Sequence, residues 1–510
     1  AFAADAADAP KGTLTVNNTV EGKTLDLYQI FTATKSGENV AYTLNSAYEG
    51  FFKNNTRIPG SESLTGKALS EAAYNYVKEQ VGANGEADTA KTFAKDVLGW
   101  ILDSKNNITA TTTVETKATS TVVPDLAYGY YLVYPKGATD TSKAPGNQTY
   151  TSAASLVNIT ADTATINMKS NYPTVDKKII PAQSGSGIKV DAIVDGSWEG
   201  SHQMELDDEN ESEDAIAPHG AADEKKAGDF GIGDTVTYQL TSKVPDMTGY
   251  TSYTFKFTDT LSKGLDLKAI LSVKVESTEL KASKTGANTY SLSYDKTNRI
   301  LTVTLNDFYN SYKNHVGDTI TVVYTATLNK DAVIGMNPNT NKAEIEYSND
   351  PNGTGTGKSN PSEADVYTFN FKIFKQDEKK SPLSGAKFEL YHSKTENNEE
   401  VIDETRKISL VKETTTDNSN LYRESPTSGA GTTTIIESAA DGYAQIKGLE
   451  EGTYFLHETE APTGYNKLIG DIKLIIQADF DETTGVLNSF SVKYTYGTEE
   501  EQTVTVKNKD

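Results

Sequence analysis

The sequence predicts a mainly β protein: three β-sandwich domains in tandem, the first with an inserted pair of helices. Three observations carry this. Short runs that alternate apolar and polar residues, such as GTLTV at 12–16, ILTVTL at 300–305 and TVTVK at 503–507, recur along the whole chain with the period of half-buried strands. Helical spacing appears in one region, 65–104. The pattern Leu126-x-x-Gly129-x-Tyr131 returns as Leu449-x-x-Gly452-x-Tyr454, which marks the first and last domains as related modules. A chain of 510 residues holds about three domains at roughly 150 residues each.

The first domain is expected over 1–170. Its opening residues, AFAADAADAP, read as the end of a signal peptide with small residues at the cleavage site. Strands follow at GTLTV and TLDLYQIF. Two helices are then predicted, one presenting Leu69, Ala73, Tyr76 and Val77 on a face, the other Phe93, Val97, Trp100 and Ile101, with GANGE between them. Strands resume at VVPDLAYGYYLVYP. In TATINMKSNYPTVDKKII (163–180) Ile166 and Met168 alternate with Thr165, Asn167 and Lys169, so Lys169 is expected to face solvent near a domain end.

The second domain, 171–365, has strand patterns at PTVDKKI, FGIGDTVTYQL, YTFKFTDTLSKGL, ILTVTL, HVGDTITVVYTATL and NKAEIEYSND, two of them preceded by Gly-Asp-Thr turns. Residues 202–226 are acidic without an apolar period and read as a surface loop. They lack the spaced D-x-D-x-D-G pattern of a calcium site, so no metal and no cofactor is expected. The third domain, 366–510, carries a long polar stretch, 392–434, expected as a surface excursion.

Strand phase singles out the residues with chemistry. Lys375 shares a face with Phe369, Phe371 and Ile373, Glu458 with Tyr454 and Leu456, and Asn508 with Val504 and Val506, so all three are expected to point into the third-domain core. Burial disfavours both charges, leaving a neutral amine that can attack the Asn508 amide and a protonated acid that can polarise it, with loss of ammonia. A second set lies in the second domain. Lys177 is in phase with Val175 and Ile179, Asp259 with Phe255, Phe257 and Leu261, and Asn341 with Ala343, Ile345 and Tyr347. Asn349 has the same phase as Asn341, and Asp259 also reads as a turn residue after a strand. In the first domain Pro135 stands where the repeat has Glu458, and the inward Leu14 and Val16 have no Lys among them, so no such bond is expected there.

The runs KQDEKKSPLSGAKFEL, GLEEGTYFLHETEAPTGY and VTVKNKD resemble a CnaB-type domain of Gram-positive surface proteins, HETEAPTGY matching that family's E-box. The second-domain motifs resemble a D2-type isopeptide domain, and the whole is similar to a sortase-assembled backbone pilin. The resemblance implies immunoglobulin-like CnaA/CnaB-type sandwiches, Lys375–Asn508 and Lys177–Asn341 isopeptide bonds with Glu458 and Asp259 as their acids, and a structural rather than enzymatic role. It further implies head-to-tail linkage by a class C sortase through Lys169, with partner copies of the same chain and minor tip and base pilins, on the cell surface outside the cell. The family's usual linkage lysine stands in a Tyr-Pro-Lys triplet. Here Asn167-Met168-Lys169 occupies the junction, and the literal Tyr134-Pro135-Lys136, a competitor, ends what reads as an inner strand. A monomeric cell-wall adhesin binding host matrix protein or glycan is the alternative.

Composition fits an exported shaft. The chain has no cysteine and a formal charge of −23, so stability must come from something other than disulfides, and the acidity argues against nucleic acid and anionic membranes as partners. No apolar run is long enough to span a bilayer.

Overall fold

The computed structural model describes residues 9–82, 88–139, 154–168, 171–183, 186–193, 204–205, 226–417 and 419–507. Residues 1–8 of the expected signal-peptide remnant and nearly all of the acidic stretch 202–226 lie outside these. The fold is mainly β, arranged as tandem two-sheet sandwiches.

In the first sandwich the strand Lys11–Thr19 buries Leu14 and Val16 completely, pairing antiparallel with Thr119–Ala127 and parallel with Thr163–Asn167. The facing sheet is built on Thr24–Ser36 and Gly129–Lys136. Gly129–Lys136 and the 25–31 part of its partner are buried nearly throughout because both faces are covered. Leu25, Leu27, Tyr131 and Val133 face the other sheet, while Ile30, Phe31, Tyr130 and Leu132 lie under the helices. Those helices, Gly66–Val81 and Asp88–Leu102, bury Leu69, Ala73 and Val77, and Phe93, Val97 and Ile101, as the 3.6-residue period requires.

The repeated motif has one structural cause in both copies. Tyr131 donates its hydroxyl proton to the Ala127 carbonyl at 2.6 Å, and Tyr454 does the same to Glu450 at 2.7 Å. Each buried tyrosine thereby satisfies its polar end and ties its strand back across the turn.

The second sandwich packs a seven-stranded sheet, with Asp176–Ile180, Thr235–Lys243 and Thr319–Leu328 in sequence at one end, against an eight-stranded sheet containing Phe255–Leu261 and Asn339–Ser348. The third sets a four-stranded sheet, with Phe369–Phe374 at its edge, against a seven-stranded one containing Gly452–Glu460. Here the expected polar excursion is corrected. Residues 392–434 contribute the end of Lys387–Glu396 and all of Glu399–Lys407, Ser409–Glu413 and Leu421–Ser425, strands whose outward faces are polar because they sit over solvent. Asn397 and Asn398, both with positive φ (51° and 64°), close the first hairpin as a primed turn.

Direct contacts bind neighbouring domains. Lys23, half-buried, donates to the Tyr347 hydroxyl at 2.7 Å, and its ammonium stands 4.6 Å from the centre of the Tyr172 ring. Burial lowers its pKa. Gly137, at φ +82°, lets the chain pass Asn349 so closely that a Cβ would lie 2.8 Å from that residue's Cβ. Between the second and third domains, Ile232 donates its amide to Gly448 at 2.9 Å and Glu451 donates to Asp229 Oδ2 at 2.5 Å.

Candidate functional site

Lys177 is at the edge of the seven-stranded sheet, with a fully buried side chain. Its amide donates to Ser362 Oγ at 2.9 Å, and Lys226 Nζ donates to its carbonyl at 2.5 Å, so its backbone is held from both sides. Across the sandwich, Phe255–Leu261 and Asn339–Ser348 are antiparallel neighbours with Leu261 opposite Asn341 and Asp259 opposite Ala343. This register puts Asp259 and Asn341 diagonally on one face, both buried, as the period of two predicts. Asp259 lies within its strand and is not a turn residue. Asn349, of the same phase, is only half-buried and contacts Gly137 at the domain junction, so Asn341 is the amide brought to the site.

Lys177 Nζ donates to Asp259 Oδ2 at 2.7 Å. It also contacts the Tyr324 hydroxyl, which in turn donates to Asp259 Oδ2 at 2.7 Å and accepts from Asn341 Nδ2 at 2.6 Å. The ammonium stands 4.4 Å from the centre of the Tyr238 ring and 4.8 Å from that of Tyr324. These rings stack on each other at 5.4 Å. Burial pushes the Lys177 pKa down to about 8 against the opposing pull of Asp259, and burial raises that of Asp259 against the pull of Lys177. Both shifts favour the uncharged pair. Asn341 Oδ1 and Asp259 Oδ1 are buried without a hydrogen-bond partner among the described residues. A proton on the carboxyl supplies a donor where these two oxygens otherwise only accept, and the neutral amine is then a nucleophile joined to the Asn341 amide through the Tyr324 hydroxyl.

In the third domain the strand Phe369–Phe374 buries Phe369, Phe371 and Ile373, and Lys375 continues their phase with its side chain 16 % exposed. Its Nζ donates to Glu458 Oε2 at 2.9 Å, and Glu458 Oε1 is buried without a partner among the described residues. Asn508 lies outside the described residues. The expectation that its strand points into the core is corrected: Gln502–Lys507 pairs with Leu487–Tyr496 at a sheet edge, leaving Val504 53 % and Val506 39 % exposed. Alternation shows that a strand has two faces but cannot show that an opposing sheet reaches far enough to cover one.

Of the two candidate linkage lysines, Lys169 lies outside the described residues. Lys136 ends the strand Gly129–Lys136 and pairs with Asp350 of the second domain at 3.5 Å. It is therefore at the domain junction, contrary to the expectation from sequence, because the end of that inner strand is where the two sandwiches meet. Sequence reasoning missed Tyr324, Tyr238 and Lys226. For Tyr324 a signal existed: it is in phase with Val322 and Ala326, and a buried tyrosine hydroxyl needs a partner.

The matches to known families fall on these two sandwiches. Residues 232–351 match the model of the Gram-positive pilin backbone subunit 2, Cna-B-like domain, and residues 369–488 match that of a prealbumin-like fold domain named SpaA. The second sandwich thus carries a domain of the Gram-positive backbone-pilin type. The chain is 24% identical over 278 residues to the trypsin-resistant surface T6 protein of Streptococcus pyogenes serotype M6, a match covering 48% of the chain and 42% of that relative, less than half of its length. Among solved structures, the T6 backbone pilin of serotype M6 S. pyogenes is 17% identical, with 98% of this chain and 95% of that one covered and a TM-score of 0.44. The full-length major pilin SpaD of Corynebacterium diphtheriae is 18% identical, with 90% and 88% covered and a TM-score of 0.42. Among the described residues, no helix is long and apolar enough to cross a membrane.

Proposed function

We propose that this protein is a backbone pilin, the shaft subunit of a covalent pilus on the cell surface, divided at 1–170, 171–365 and 366–510. In this reading it is stabilised by Lys177–Asn341 and Lys375–Asn508 isopeptide bonds formed with Asp259 and Glu458, and joined head to tail through Lys169 by a pilus-specific sortase, with Lys136 as the competing lysine and minor tip and base pilins as further partners. The observation that carries the cross-link reading is the buried meeting of Lys177, Asp259 and Asn341 around one hydroxyl. An amine and an acid fully removed from water are costly as charges, and the same burial makes them reactive toward the amide they enclose. A bond between strands at the two ends of a domain carries load directly, so the hydrogen-bonded ladder between them is not pulled apart in sequence. This supplies for a chain without cysteine what disulfides supply elsewhere.

The test is intact mass with peptide mapping of the purified chain. Loss of two ammonia equivalents is expected, with branched peptides joining Lys177 to Asn341 and Lys375 to Asn508. A chain of full mass sinks the cross-link reading. The pH dependence of closure follows from the pair. Attack needs a neutral Lys177 with a protonated Asp259, a state holding one proton between them, as the ion pair does. Closure in the second domain is therefore expected to slow above pH about 8, where that proton is lost, and again in acid below the raised pKa of Asp259, where a second is gained. Ammonia release followed across pH checks it, and a flat profile counts against a titrating pair.

A further inference from the structure

Asn341 Nδ2 has its hydrogen bond to the Tyr324 hydroxyl, and that hydroxyl in turn donates to Asp259 Oδ2. The carboxyl and the departing nitrogen are thus connected through the phenol. We infer that Tyr324 is a catalytic residue of the second-domain reaction, its hydroxyl passing the Asp259 proton to the nitrogen that leaves Asn341. The inference rests on the cross-link reading above.

The step balances. Lys177 Nζ bonds to Asn341 Cγ, and the Cγ–Nδ2 bond breaks. As the tetrahedral centre forms, Nδ2 loses amide resonance and becomes a basic amine that accepts a proton instead of donating one. Tyr324 delivers its proton there and takes another from Asp259. The carboxylate so formed removes the surplus proton from Nζ. Amide, ammonia, protonated Asp259 and intact Tyr324 remain, and no outside reagent is consumed.

Placement favours a relay over a spacer. The Tyr324 ring is fully buried and its hydroxyl contacts all three members of the set, a position set by stacking on Tyr238 and by the register that pairs Tyr238 with Tyr324. Burial also raises the Tyr324 pKa, so the phenol keeps the proton that it must deliver.

The experiment uses the full chain made by timed cell-free synthesis, with mass and branched peptides followed for each domain. In Tyr324→Phe the ring and its stacking remain, and Lys177–Asn341 closure is expected to slow by ~100-fold, the range for one lost general acid–base group. Third-domain closure in the same molecules serves as the internal clock. In a second chain a fluorinated tyrosine at 324 keeps the hydroxyl but makes it more acidic; a relay changes the rate and shifts the pH profile, whereas a spacer leaves both alone. Second-domain closure at the parent rate in Tyr324→Phe, or indifference to fluorination, overturns the inference while the cross-link stands. A parent chain that never forms the Lys177–Asn341 peptide overturns both.

Discussion

Asp259→Ala is expected to remove the second-domain cross-link and to destabilise that domain by more than any other single change at the site. Two effects act together. Without the bond, a loop of roughly 160 residues is no longer closed in the unfolded state, worth about 5 kcal/mol or less. Without the carboxylate, Lys177 stays fully buried, and among the described residues the Tyr324 hydroxyl and the faces of two rings remain as its partners. Breaking a buried ion pair from one side costs about 3–5 kcal/mol. Asn341→Ala separates the effects, because it prevents the bond but keeps the Lys177–Asp259 pair. Lys177→Met in the Asp259→Ala background removes the stranded amine and is expected to recover most of the second term. Hydrogen exchange of amides in the strand Asp176–Ile180 gives a readout local to this domain, where a whole-chain melt mixes three. A branched Lys177–Asn341 peptide in Asp259→Ala would remove Asp259 from the chemistry.

The second large effect concerns assembly. Lys169→Ala is expected to reduce the high-molecular-weight ladder made with a pilus-specific sortase to monomer, and Lys136→Ala to leave it intact. Lys136 reaches Asp350 at 3.5 Å, its side chain is 32 % exposed, and the chain beside it is pressed against Asn349 at Gly137. To act as a nucleophile on an enzyme-bound partner it must leave that ion pair at a domain junction. For Lys169 the support is the alternation of the preceding strand, Thr163–Asn167, with Ile166 half-buried and Thr165 and Asn167 exposed. Denaturing gels of the co-expressed pair decide between them. A ladder that survives Lys169→Ala and vanishes in Lys136→Ala reverses the assignment.

How much of this was legible in the chain depends on the range over which each feature is set. Lys177, Asp259 and Asn341 were readable as inward-facing because a strand's period of two is local, and each is flanked by core residues two positions away. The helix faces around Leu69 and Phe93 were readable for the same reason at a period of 3.6. The Asn397–Asn398 hairpin was overlooked although an Asn pair is a local turn signal, because the polarity of its strands resembles that of a loop.

By itself the sequence determined the string of β sandwiches, the helical pair, the tyrosine motif shared by the first and last domains, and the inward phase of Lys177. These follow from hydrogen-bonded backbone periods and from the cost of exposing apolar side chains. Only the tertiary structure decided that Asn341 and not Asn349 meets Lys177, that Tyr324 joins the three groups, that Lys136 sits against the second domain, and that Val504 and Val506 are left in solvent. Each of those depends on which sheet lies opposite and how far it extends, distances set by the packing of strands remote in sequence.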